Sequence, residues 1–150
     1  MDTWQTTNTP FQIRIEKHIE RGGFMPVLGG AYYDFQSAPA RSNDWREIMS
    51  FRHDDPVEIP KDAVHFTNER VAFVSMGWLY AVTTDGGTNW RVSEISQFLK
   101  SGERCGYNCI EDLRIDPNGY GEVRINLISS SPSELQVLQT ADFGETWRVK

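Results

Sequence analysis

Thr83-Thr84-Asp85-Gly86-Gly87-Thr88-Asn89-Trp90 and Thr140-Ala141-Asp142-Phe143-Gly144-Glu145-Thr146-Trp147 are two copies of one pattern, Ser/Thr-x-Asp-x-Gly-x-x-Trp, and both continue into Arg-Val. In a tight turn of this kind the Asp side chain accepts backbone N–H bonds from its own turn. The Gly supplies a backbone shape that a Cβ would hinder. The Trp folds back over the hairpin and buries a large apolar area. Thr83, Asp85, Gly87 and Trp90, and equally Thr140, Asp142, Gly144 and Trp147, therefore read as a folding unit. A sugar or a cation held at the turn is the competing reading, and it is the weaker one because buried turn carboxylates usually serve the backbone. The seventh position holds Asn89 in the first copy and Thr146 in the second, and both side chains can hydrogen-bond.

The repeat is longer than the turn. Ala63-Val64-His65-Phe66, Val71 to Val74 and Trp78 to Val82 precede the first copy, and Trp90-Arg91-Val92 follows it. Asp112 to Ile115, Val123 to Leu127 and Leu135 to Leu138 precede the second, and Trp147-Arg148-Val149 follows it. Each unit, at about 63–92 and 112–149, reads as three short strands, the turn and a fourth strand. This is the layout of one four-stranded propeller blade. The turn itself resembles the Asp-box of sialidase-type β-propellers and other secreted β-folds. A degenerate third unit is read from strands near Ile13 and Tyr32 and from Asn43-Asp44-Trp45-Arg46, where a box would end without its Asp-x-Gly. Closed propellers need about four or more blades of roughly 40–45 residues, so 150 residues predict a mainly β chain, an open array of antiparallel blades or a β-sandwich built from blade-like meanders.

Elsewhere Phe11, Ile13 and Ile15 alternate with polar residues as in a half-buried strand. Ala31 to Phe35 follows Gly29-Gly30 as an aromatic strand. Pro117-Asn118-Gly119 and Ser130 to Ser133 carry turn residues. One short helix is expected near 93–101, capped by Ser93, with Ile95, Phe98 and Leu99 on one face and Gly102 at its end. A second helical turn is read at Asp44 to Ile48. Residues 1–10 are polar and read as a flexible leader, followed by a single β-domain over 11–150. An open array leaves strand edges to cover, and Ser93–Cys109 and the N-terminus are the candidate covers. The aromatics Tyr32, Tyr33, Trp45, Trp78 and Tyr80 fall in strand patterns and read as core.

A net charge of −6 without a Lys/Arg cluster argues against nucleic-acid binding and favours a basic partner surface. No run approaches the roughly 20 apolar residues of a membrane span, and no signal peptide is visible at Met1 to Gln5. Cys105 and Cys109 lie in Cys-Gly-Tyr-Asn-Cys. A disulfide closing a tight loop suits this pair, with Gly106 and Asn108 providing the turn. Free thiols and a metal site are the alternatives, and His18, His53 and His65 form no recognisable ligand spacing with the cysteines.

Catalytic patterns are sparse. A sialidase site would need a six-bladed ring, an arginine triad, a Tyr/Glu pair and Arg-Ile-Pro, and the chain is too short for it. There is no Gly-x-Ser-x-Gly elbow and no phosphate loop around Gly29-Gly30 or Gly86-Gly87. His53-Asp54-Asp55 could touch a cation, but before Pro56 it reads more simply as a solvated loop. The scattered acids single out no glycosidase pair.

The order of segments is also informative: Ile13-Arg14-Ile15-Glu16-Lys17-His18, then Gly30 to Asp34, then Ala63 to Phe66, then Tyr80 to Trp90, then Thr140 to Arg148. It resembles small periplasmic immunity proteins that neutralise type VI secretion lipase effectors. The resemblance implies a non-catalytic inhibitor without cofactor or metal, exported, whose partner is a toxic phospholipase. It implies a membrane tether only through an N-terminal lipid anchor that these residues do not include. Binding would rest on a few buried anchors in an interface of about 1,600 Å². Acidic loop residues Asp54, Asp55 and Glu103 are candidates if the effector face is basic. A propeller-like scaffold factor similar to photosystem assembly proteins, and a small carbohydrate-binding or carbohydrate-active protein, are the other readings.

Overall fold

The computed structural model describes residues 2–19, 30–54, 57–128 and 134–150, with only the backbone of residue 134. Strands β1 (Asp2–Gln5), β2 (Phe11–Ile19), β3 (Ala31–Pro39) and β4 (Arg46–His53) form a first sheet. A middle sheet holds β5 (Val64–Phe66), β6 (Ala72–Met76), β7 (Leu79–Thr83) and β8 (Arg91–Glu94). The third holds β9 (Cys105–Ile115), β10 (Gly121–Leu127), β11 (Glu134–Thr140) and β12 (Arg148–Val149). Each sheet is an antiparallel meander in which sequence neighbours are spatial neighbours. The protein is thus mainly β, with three blade-like units rather than a closed barrel. Among the described residues no helix is long and apolar enough to cross a membrane.

The period of two along each strand decides how the sheets stack. In the middle sheet Ala72, Val74, Met76, Leu79 and Ala81 pack with Ile13, Ile15, Tyr33 and Phe35 of the first. The intervening Phe73, Tyr80 and Val82 pack with Leu113, Val123, Ile125 and Leu138 of the third. The middle sheet is therefore buried on both faces. The outer sheets are not. Arg14, Glu16, His18, Asp34 and Arg52 alternate with the buried positions of the first sheet, and Arg114, Glu122, Arg124 and Gln139 with those of the third. A stack ends where its outer face turns polar, which is why these blades form an open array. A closed ring would need both faces of every blade to be apolar.

Several expectations are corrected. Residues 1–10 are not simply a leader: Asp2–Gln5 pairs with Arg14 to Lys17 as β1. It completes the first sheet and covers the edge of β2. The helix expected near 93–101 is a single 3₁₀ turn, Ile95–Phe98. Ser93 belongs to β8, and Glu94 precedes the turn without a side-chain cap. Asp44 to Ile48 is not helical. It leads into β4, where a bulge opposite Phe35 and Gln36 inserts Ile48. The bulge buries Ile48 and Met49 side by side, which mimics a helical pattern. Gly29 and the expected turn at Ser130 to Ser133 lie outside the described residues.

Candidate functional site

The two boxes share one geometry. Thr83 Oγ1 accepts the Gly87 N–H at 3.0 Å and donates to Asp85 Oδ1 at 2.9 Å. Asp85 accepts the Asn89 backbone N–H at 2.9 Å on Oδ1 and its side-chain amide at 2.8 Å on Oδ2. In the second box Thr140 and Asp142 repeat this with Gly144 and Thr146, at 2.9 Å for Gly144 N–H and 2.6 Å for the Thr146 hydroxyl. Asn89 therefore does the work of Thr146. The Asn89 N–H is the main cause that lowers the Asp85 carboxyl below its usual value, against partial burial. Burial pulls Asp142 upward, but the Thr146 and Thr140 bonds outweigh it and bring the carboxyl down to about 2. Both oxygens of each carboxylate are engaged inside their own turn.

The tryptophans act between sheets. Trp90 Nε1 donates to Ser37 Oγ on β3 at 3.0 Å, and its ring meets Phe11 edge-on. Trp147 Nε1 donates to the Tyr80 hydroxyl on β7 at 3.0 Å, and that hydroxyl donates to Gly144 O at 2.7 Å. Each box thus holds its blade to the third strand of the preceding blade. Trp45 occupies the same place before β4, where among the described residues it is Arg14 of its own sheet that lies over its ring, at 4.1 Å.

A different cluster sits where all three sheets meet. Between Cys105, opposite Leu127, and Ile110, opposite Ile125, β9 carries residues 106–109 against Asn126 alone. The Cys105–Cys109 disulfide closes this bulge. Tyr107 and Asn108 project from it toward the other sheets. The Asn108 Oδ1 lies 3.3 Å from Nε2 of buried His53 at the end of β4. The Tyr107 ring lies 5.1 Å from His53 and 5.4 Å from Trp78, which caps the β6–β7 turn. Ile110 N–H donates to Gly77 O at 2.8 Å in the same turn. Asp54 is hydrogen-bonded by Tyr107 and ion-paired with Arg52, and these bonds, Tyr107 foremost, lower its carboxyl. Tyr32 stands opposite Arg52 in the sheet. Tyr107 and Tyr32 remain 47% and 43% exposed, so the corner presents two tyrosines flanking an Arg–Asp pair.

Asp54 and the disulfide loop are therefore brought together. Glu103 instead accepts the Lys100 backbone N–H at 2.8 Å, in the turn before β9. Asp55 lies outside the described residues. The solvated-loop reading of His53 is corrected, because His53 is 1% exposed and ends a strand. Of the aromatics read as core, Tyr33 and Tyr80 are fully buried, and burial pushes the Tyr33 hydroxyl up to about 12. Tyr32 faces outward, and Trp45 sits under Arg14. The sequence carried one signal for this corner that spacing alone did not reveal: an aromatic residue enclosed between two nearby cysteines.

Two grooves flank the stack. One of about 610 Å³ runs between β4 and β8, with Ile48, Met49, Phe51, Leu79 and Val92 in its walls and Glu94 at its rim. Another of about 490 Å³ lies beside β5 and β9, lined by His65, Phe73, Arg114, Glu122 and Arg124. On the outer face of the first sheet Glu16, His18 and Asp34 bring three potential ligand atoms within 4.8 Å of one another. His18 already pairs with both acids, Arg14 pairs with Glu16, and the Ser50 hydroxyl donates to Asp34. The chain matches no protein-family model, no curated protein and no solved structure.

Proposed function

We propose that this protein is a binding protein of the immunity type, which neutralises a secreted phospholipase effector by occupying the surface around its active site. The observation that carries the reading is the three-sheet corner. A covalently closed bulge holds Tyr107 beside Asp54, with Arg52 and Tyr32 adjoining on the first sheet. Tyr and Arg are the residue types that dominate binding hot spots, and a rigid presentation lowers the entropy lost on association. The ionised Asp54 suits a basic effector surface, in keeping with the net charge of −6. A disulfide is maintained in oxidising compartments, which supports a periplasmic location. The effector class rests on the resemblance of the segment order to lipase immunity proteins.

The test is co-expression with any secreted phospholipase that proves to be encoded beside this gene, followed by titration of the purified pair. Protection from toxicity and a one-to-one complex are expected. Tyr107→Ala should weaken that complex by at least about tenfold, and Arg124→Ala on the far face should leave it unchanged. Absence of any complex and any protection would sink the proposal.

A further inference from the structure

We propose that Cys105–Cys109 is a redox latch: oxidation assembles the three-sheet corner, and reduction releases it. The bulge spends four residues of β9 where β10 spends one, so 106–109 have no ladder partners to define them. What fixes their shape is the disulfide and a set of contacts to other sheets. Those contacts are individually weak. Asn108 and Tyr107 are exposed, and hydrogen bonds at such positions contribute little net stability. Together they hold only if the loop is already closed, because the disulfide removes the conformational freedom that ordering the bulge would otherwise cost. The contacts reach both other sheets, through His53 and Asp54 in the first and through Gly77 and Trp78 in the middle. Gly77 is tight against the bulge, since a Cβ there would lie 2.7 Å from Tyr107 O.

The remaining joints between the middle and third sheets do not depend on this corner. Tyr80, Gly144 and Trp147 join them at the box, and Arg91 reaches Glu145 at 2.8 Å. Release should therefore be local. Cys105 is half-buried and Cys109 is 1% exposed, so an incoming thiolate meets Cys105 Sγ first. A dithiol reductant would form a mixed disulfide there, and Cys109 would leave as a thiolate and take up a proton. The second thiol of the reductant then displaces Cys105, leaving two protein thiols and one oxidised dithiol. The corner would so be shaped only where the disulfide is formed. This inference concerns the corner's shape and stands or falls without regard to what binds there.

Hydrogen–deuterium exchange on the full chain, oxidised and in dithiothreitol, tests it. In the reduced protein, peptides covering 49–54, 76–80 and 104–112 should exchange at least about tenfold faster, while 11–19 and 31–39 stay unchanged. Tyr107→Ala with the disulfide intact should speed 49–54 and 76–80 but leave 104–112 protected. Unchanged exchange at 49–54 and 76–80 on reduction would overturn the latch. So would acceleration across the whole chain, which would make the disulfide a global stabiliser, or a Tyr107→Ala pattern identical to the parent.

Discussion

The turn between the third and fourth strands is built three times in this chain, and only twice does it carry the box. Trp90 and Trp147 each reach the third strand of the preceding sheet, at Ser37 and at Tyr80. Trp45 meets no other sheet among the described residues; there Asp-x-Gly is missing and Arg14 of its own sheet covers the ring. The comparison teaches what the motif is for. Its Asp and Thr shape a turn, and the shaped turn aims a tryptophan at a neighbouring blade. The turn that lacks the shape aims its tryptophan at no other sheet of the described residues. A sialidase-like motif can therefore be a joint rather than a remnant of an active site.

Breaking the joints should rank the three turns. Trp147→Ala removes an aromatic wedge and leaves the Tyr80 hydroxyl without its donor, so a loss of about 3 kcal/mol is expected in urea unfolding. Gly87→Ala comes next. Gly87 has φ +90°, and a Cβ would lie 2.8 Å from the Phe11 ring of the first sheet. A loss of about 2 kcal/mol is expected, with Gly144→Ala milder because its nearest neighbour would be at 3.2 Å.

Asp142→Asn removes an ionised acceptor and should cost about 1 kcal/mol near neutral pH. Its acid dependence is more telling. The folded carboxyl titrates at about 2, below its ordinary 3.8. Its contribution is thus complete above the ordinary value and is lost as pH falls toward about 2. Urea midpoints of the parent should drop through that window more steeply than those of Asp142→Asn. Trp45→Ala should be the mildest change, under about 1 kcal/mol, since it gives up a surface cation–π contact. A loss as large as that for Trp147→Ala would erase the distinction between boxed and boxless turns.

Features that rest on local chemistry were legible in the sequence. The boxes announce themselves because the bonds of Asp85 and Asp142 close within four residues. The strand around Ile13 shows plain alternation, those around Val74 and Ile125 are short β-rich runs between turn residues, and the two cysteines lie close enough to suggest their bond. Elements that depend on a partner were not. β1 is short and polar, and only pairing with β2 makes it a strand. β4 was hidden by the bulge that buries Ile48 beside Met49. The corner of His53, Trp78 and Tyr107 was invisible because its members come from three sheets, far apart in sequence and joined only once the sheets stack. Asp54 was singled out for its charge, and its place beside Tyr107 comes from that stacking.

The most direct test of the joint is a double-mutant cycle between Trp147 and Tyr80, read by equilibrium urea unfolding. Trp147→Phe and Tyr80→Phe are made singly and together. The bond of Tyr80 to Gly144 is lost equally in both Trp147 backgrounds and cancels. If the box tryptophan holds the third blade to the middle one, the two changes will be coupled by about 1 kcal/mol. Losses that add to within about 0.3 kcal/mol would contradict it and return Trp147 to a role inside its own hairpin.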